Sequence, residues 1–124
     1  MIRFSIPIRT VSEANPRGEH WGTRARRAKA QRHDAWALTR EAFGHDPLPI
    51  PPLTVTLTRV APRKMDSGDD APMSMKHIRD GIADALRVND GDERIEWRYA
   101  QRKGKPREYA VEVEIQEGRG RKQT

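Results

Sequence analysis

The chain has 124 residues, 35% of them hydrophobic and 34% charged, with no cysteine and a formal net charge of +6. That length suits one domain with a thin core, and the lack of cysteine excludes a disulfide framework and thiolate metal sites and favours a cytoplasmic setting. The charge is segregated: residues 1–64 carry a net +7, residues 65–96 a net −5 and residues 97–124 a net +4, a pattern in which basic surface draws polyanions, nucleic acid foremost, around an acidic island.

In chain order, Ile2, Phe4, Ile6 and Ile8 alternate with other residues, the period of a half-buried strand. This opening is no apolar run of signal-peptide length, and no later segment could span a bilayer, so a soluble protein without a membrane partner is expected. From about Glu19 to Phe43, the residues Trp21, Ala25, Ala28, Ala35 and Ala42 recur at helical spacing, and Gly44 supplies a stop. Trp21 and Trp36 read as core or staple residues, with a wedge into unstacked bases as the alternative. Asp46 to Pro52 is too proline-rich for a helix or a central strand and reads as a stiff connector.

Leu53, Val55 and Leu57 mark a second strand. From about Met73 to Leu86 a second helix follows, with Met75, Ile78, Ile82 and Ala85 as its apolar stripe and Asp69, Asp70 and Pro72 as starting signals. Gly81 inside that helix costs about 1 kcal/mol relative to alanine, so close packing is expected there. Ile95, Trp97 and Tyr99 form a third alternating run, and Tyr109, Val111, Val113 and Ile115 a fourth. The turn residues Lys103-Gly104-Lys105-Pro106 between them predict an antiparallel hairpin. The expected fold is α/β: a small mixed sheet of about four strands, two main helices and a C-terminal antiparallel hairpin, in one domain over residues 1–116, with 117–124 a basic flexible tail.

Asp66, Asp69 and Asp70 leave the second strand, and Asp90, Asp92 and Glu93 precede the third. Mg²⁺ takes one or two carboxylates together with water and phosphate oxygens, and the two loops offer those ligands. Each Asp taken singly also suits a turn or helix cap. Like charge clustered in a phosphate-binding protein nonetheless calls for a cation. Lys76, near the acidic loop, suits a phosphate contact or stabilisation of a leaving oxygen, with an i,i+4 pair to Asp80 as the plainer alternative. Arg24, Arg26, Arg27, Lys29, Arg32 and Arg40 make the first helix basic, which fits phosphate contacts that position a duplex, or equally a solvated helix face. Met73 and Met75 read as packing residues. The four histidines lack zinc-site spacing, and no phosphate-binding glycine loop or GxSxG elbow is present.

Three stretches together resemble the RusA-type Holliday junction resolvases, especially small phage and prophage members. They are Arg63-Lys64-Met65-Asp66-Ser67-Gly68-Asp69-Asp70, then Lys76-His77-Ile78-Arg79-Asp80-Gly81-Ile82-Ala83-Asp84-Ala85-Leu86, then Asn89-Asp90-Gly91-Asp92. Arg9-Thr10-Val11-Ser12-Glu13-Ala14-Asn15 with the basic helix, and Trp97-Arg98-Tyr99-Ala100-Gln101, also look like that group, so the similarity covers nearly the whole chain. The resemblance implies a homodimer that binds four-way DNA junctions and resolves them, in recombination and repair, by paired nicks. It implies Mg²⁺ held by aspartates, with Mn²⁺ accepting the same oxygen ligands, and a lysine assisting.

The family's first motif reads Asp-x-Asp-Asn. Its second Asp falls on Asp69, its first on Ser67 or Asp66, and its Asn is replaced by Asp70. The family's lysine falls on Lys76; the later Asp-Asp pair becomes Asn89-Asp90, with Asp92 a second candidate. On this reading Asp69, Asp90, Asp92 and Lys76 are catalytic, Asp66 and Asp70 join the metal ligands, and Arg24, Arg26, Arg27, Lys29, Arg32, Arg63 and Lys64 contact DNA. The departures in the first motif keep open a degenerate relative that binds junctions without cleaving them. An RNA-binding module with an acidic island of caps and turns is a third possibility. A helix of about 14 residues is roughly 21 Å long, so loops at its two ends cannot share an ion unless the chain folds back or a partner subunit supplies one of them.

Overall fold

The structure, a computed structural model, describes residues 1–11, 21–65 and 70–118. Four strands and three helices follow one another among these residues: β1 (Ile2–Ile6), α1 (Trp21–Phe43), β2 (Leu53–Ala61), α2 (Asp70–Ser74), α3 (Lys76–Leu86), β3 (Ile95–Lys103) and β4 (Ala110–Glu117). The strands form one mixed sheet in the order β1-β4-β2-β3. β2 runs parallel to β3 and antiparallel to β4, and β4 is antiparallel to β1. The small mixed α/β sheet is thus the expected one, and the expected tail lies almost wholly outside the described residues.

β3 and β4 run in opposite directions and are joined by the short turn, as expected, but they do not pair with each other, because β2 lies between them. The turn steps across the end of β2, and the Gly104 N–H donates to the Ala61 carbonyl at 2.8 Å. The cause lies in β2. Its nine residues are buried at seven positions, so both of its edges and most of both faces need neighbours, which is the requirement of a central strand.

The helices cover one face. α1 buries Gln31, Ala35, Thr39 and Phe43, a stripe spaced by four that shares only Ala35 with the expected row headed by Trp21. Trp21 is 76% exposed and Trp36 39%: neither is a core residue, because the buried stripe is set by contact with α3 and leaves both indoles outside it. Gly44 ends α1 with φ 57°, a left-handed stop that glycine adopts without strain.

The expected second helix is broken at Met75, which caps α3 after the single turn of α2. Met75 is fully buried, whereas Met73 is 44% exposed and is not a packing residue. α1 and α3 approach so closely that a side chain at Gly81 would land on the Arg32 carbonyl oxygen and lie 2.8 Å from Ala35 Cβ, the packing reason for a mid-helix glycine. Between helices and sheet lie Ile6, Leu53, Val55, Leu57, Met75, Ile78, Ile82, Val111 and Val113. On the open face acids and bases neutralise one another: Arg3 with Glu114, Arg98 with Glu96, and Arg102 with Glu108 and Glu112. That face is not a basic surface.

Candidate metal and nucleic-acid site

The first acidic loop lies outside what can be described: Asp66 and Asp69, and the side chain of Asp70, are not among the described residues. The second is well defined. α3 ends at Arg87 in the left-handed conformation (φ 59°), with the Arg87 and Val88 N–H groups donating back to Asp84 and Ala83. Asn89 Oδ1 then accepts the Gly91 N–H at 2.8 Å, and the Asn89 carbonyl accepts the Asp92 N–H at 2.9 Å. These are the asparagine and aspartate turn bonds expected from such residue types.

This turn folds the chain back along α3. Arg79, in the first turn of that helix, donates from Nη2 to the Asp90 carbonyl at 2.7 Å and from Nη1 to the Tyr99 hydroxyl at 2.9 Å. Its guanidinium lies 4.7 Å from the centre of the Trp97 ring, and Trp97 Nε1 donates to the same Asp90 carbonyl at 3.2 Å. Asp90 therefore lines a recess with Asp80, Asp84 and Asn89 and does not sit one helix length away from the start of α3. The second acidic loop thus folds back along α3. Arg79 is the residue that sequence reasoning missed. In the sequence it stands only within the stretch Lys76 to Leu86 that resembles the RusA type, with no role of its own, although its neighbours Trp97 and Tyr99 mark one face of a strand.

The two candidate carboxylates differ. Asp92 binds Arg94 from every side: its carboxylate accepts the Arg94 backbone N–H at 2.9 Å, Nε at 3.0 Å and Nη2 at 2.7 Å. Asp90 has one long contact, Oδ2 to Arg79 Nε at 3.6 Å, and its side chain is 47% exposed. The donor chemistry of a hard divalent ion fits Asp90, whose oxygens carry no hydrogen bond among the described residues, and fits Asp92 poorly while Arg94 holds it. No group of three acidic or histidine side chains arranged for a metal occurs among the described residues.

Lys76 is exposed and makes no ion pair with Asp80 or with any other described residue. It lines a cleft of about 360 Å³ with Trp21, Arg24, Met73 and His77, at the junction of α1 with α2 and α3. The structure thus brings Lys76 together with Arg24, one turn of helix away from Arg79. Arg24, Arg26 and Lys29 are exposed on α1, and Arg27 is half-buried. Arg32 is committed elsewhere: its Nε and Nη2 donate to the Asp84 carboxylate at 2.6 and 3.0 Å, a bidentate clasp that ties α1 to α3. The hydrogen bond from Arg32 holds the Asp84 carboxyl below the usual range, against the opposing effect of burial.

Arg63 and Lys64 are exposed beside a separate pocket at the end of β2. No helix among the described residues is long and apolar enough to cross a membrane. Comparison of the chain with family models, with curated proteins and with solved structures finds no match.

Proposed function

We propose that the chain is a divalent-metal-dependent endodeoxyribonuclease of the RusA type, which as a homodimer resolves four-way DNA junctions by paired nicks. The observation that supports this most is the fold-back of the second acidic loop, which carries Asp90 along α3 towards the turn that bears Lys76. Asp90 would hold Mg²⁺ or Mn²⁺ together with Asp69 and with Asp66 or Asp70. A bound cation of this kind supplies an activated water and offsets phosphate charge. Lys76, without an acidic partner among the described residues, would donate to the phosphate oxygens, and Arg24, Arg26 and Lys29 would position the backbone. Two strands cut symmetrically call for a two-fold dimer.

The test is nicking of a synthetic four-way junction beside linear duplex, with and without Mg²⁺. Junction-selective nicking is expected, with Asp90→Asn lowering the rate at least about a hundredfold, in line with the loss of a metal ligand or its supporting shell. Asp92→Asn should cost much less, since Arg94 already neutralises that carboxylate. An Asp90→Asn protein that nicks at the wild-type rate refutes the assignment. The clasp on Asp92 favours a second reading, junction binding without cleavage. Tight junction binding with no nicking at any Mg²⁺ or Mn²⁺ concentration would select it.

A further inference from the structure

The row of core-facing residues on β2 runs Leu53, Val55, Leu57 and then Arg59, the last three set opposite inward residues of β4: Ile115, Val113 and Val111 face Val55, Leu57 and Arg59. Arg59 is only 7% exposed, a guanidinium at a core position of a central strand. All its acceptors among the described residues are neutral: Nε donates to Thr10 Oγ1 at 2.9 Å, and Nη1 to the Arg63 carbonyl at 3.0 Å and to Gln101 Oε1 at 3.4 Å. Nη2 has no acceptor among the described residues. Burial lowers the affinity of Arg59 for its proton, and a buried charge with no carboxylate beside it among the described residues is a costly feature for a fold to carry.

Arg59 opens into a pocket of about 520 Å³ whose other cations are Arg9, Arg63 and Lys64, and no acidic side chain among the described residues lines it. Each wall is held in place. Arg9 is fixed over the Tyr109 ring at 4.6 Å, and Gln101 clamps Met65 through both its amide groups. Four cations are therefore gathered around one cavity, the innermost held by three hydrogen bonds and without a carboxylate partner among the described residues.

We infer that this pocket is a phosphate-binding site in which Arg59, assisted by Arg9, Arg63 and Lys64, takes one phosphate group of a nucleic-acid backbone. An arginine fork with a free Nη2 suits a tetrahedral oxyanion. The pocket lies beside Met65, where the chain passes into the acidic segment, so a phosphate held here would fix the register of a strand next to that segment. The source of the phosphate rests on the nucleic-acid reading above; the site itself does not.

The experiment separates the two. In the full chain, the Arg59 side-chain Nε–H resonance and the Met65 amide resonance are followed while sodium phosphate replaces sodium chloride at constant ionic strength. Saturable shifts are expected, weakened about three- to fivefold by Arg63→Ala or Lys64→Ala, each removing one exposed charge, and unchanged by Arg87→Ala, an exposed charge at the end of α3. Arg59→Gln should abolish them. Since that variant also loses a structural clamp, the two exposed-residue variants carry the test if it fails to fold. No shift beyond the chloride control overturns the site and leaves Arg59 as a clamp only. A short oligonucleotide without terminal phosphate should then displace inorganic phosphate. If phosphate binds but the oligonucleotide does not compete, the backbone source is overturned, and a free phosphate compound is the ligand.

Discussion

Replacing Arg79 by methionine tests the centre of the site, because it keeps the buried stem and removes the fork. The variant loses two charge-assisted hydrogen bonds, at 2.9 and 2.7 Å, and the stack on Trp97. Bonds to a charged donor contribute about 1.5–3 kcal/mol each and a partly buried cation–π contact about 0.5–1. Arg79 is 27% exposed, and the Asp90 carbonyl keeps its bond from Trp97, so water and that bond recover part of the loss. The net destabilisation should be about 2–4 kcal/mol, a fall in the urea midpoint on the order of 1–2 M for a chain of this size. Amide exchange at Gly91 and Asp92 should quicken more than in the α1–α3 contact, since only the returning loop is released. Arg79→Lys should recover little, because a point charge cannot serve Tyr99 and Asp90 together. An Arg79→Met protein within about 0.5 kcal/mol of wild type, with unchanged exchange at residues 89–92, refutes the claim that this arginine holds the second acidic loop.

Gly81→Ala should destabilise by about 2 kcal/mol in urea unfolding, despite a helix-propensity gain of about 1, because the added carbon forces α1 and α3 apart. A more stable variant would show that the helices are not in such close contact. Trp21→Ala should change stability by less than about 0.5 kcal/mol, as its 76% exposure requires, and a loss typical of a core tryptophan would restore the sequence-based expectation. Asp84 has a folded-state pKa below its unfolded value, so its clasp with Arg32 stabilises fully above about pH 4 and is lost as pH falls through the folded value. With both side chains about half exposed the contribution is under about 1 kcal/mol. Asp84→Asn should flatten the acid limb of the stability profile by that amount, and an unchanged profile would count against the clasp.

How far the fold could be read from the sequence depended on the range of the interaction. Alternation at Ile2–Ile6 and in the last two strands, the stop at Gly44 and the tight place at Gly81 are local signals, and each marks what the structure contains. Lys103-Gly104-Lys105-Pro106 announced a reversal, but a turn fixes only direction. Which strand lies alongside is decided by β2, whose burial on both faces claims the place next to β4. The α1 stripe was misassigned because alanines recur all round that helix, and only the partner helix selects Gln31, Ala35, Thr39 and Phe43. At the site, Asp90 and Lys76 could be named from residue type and order. The roles of Arg79 and Arg59 depend chiefly on residues 11 to 49 positions away, which no spacing rule connects, with the Arg63 carbonyl the one local partner. Arg59 did leave a trace: extending the row Leu53-Val55-Leu57 by one more step points it inward.

The insertion of β2 between β3 and β4 also bears on the order in which the molecule can assemble. Ile2 lies opposite Ile115, and β1 has no other strand beside it. The unit β2–α3–β3 can close early over a short stretch of chain, but β1 must wait for β4 to slide into the gap and complete both its own pairing and the second edge of β2. Loop closure on this scale is slow. Until it happens one edge of β2 stands open, so β4, the last strand among the described residues, acts as the bolt that locks β1 in place.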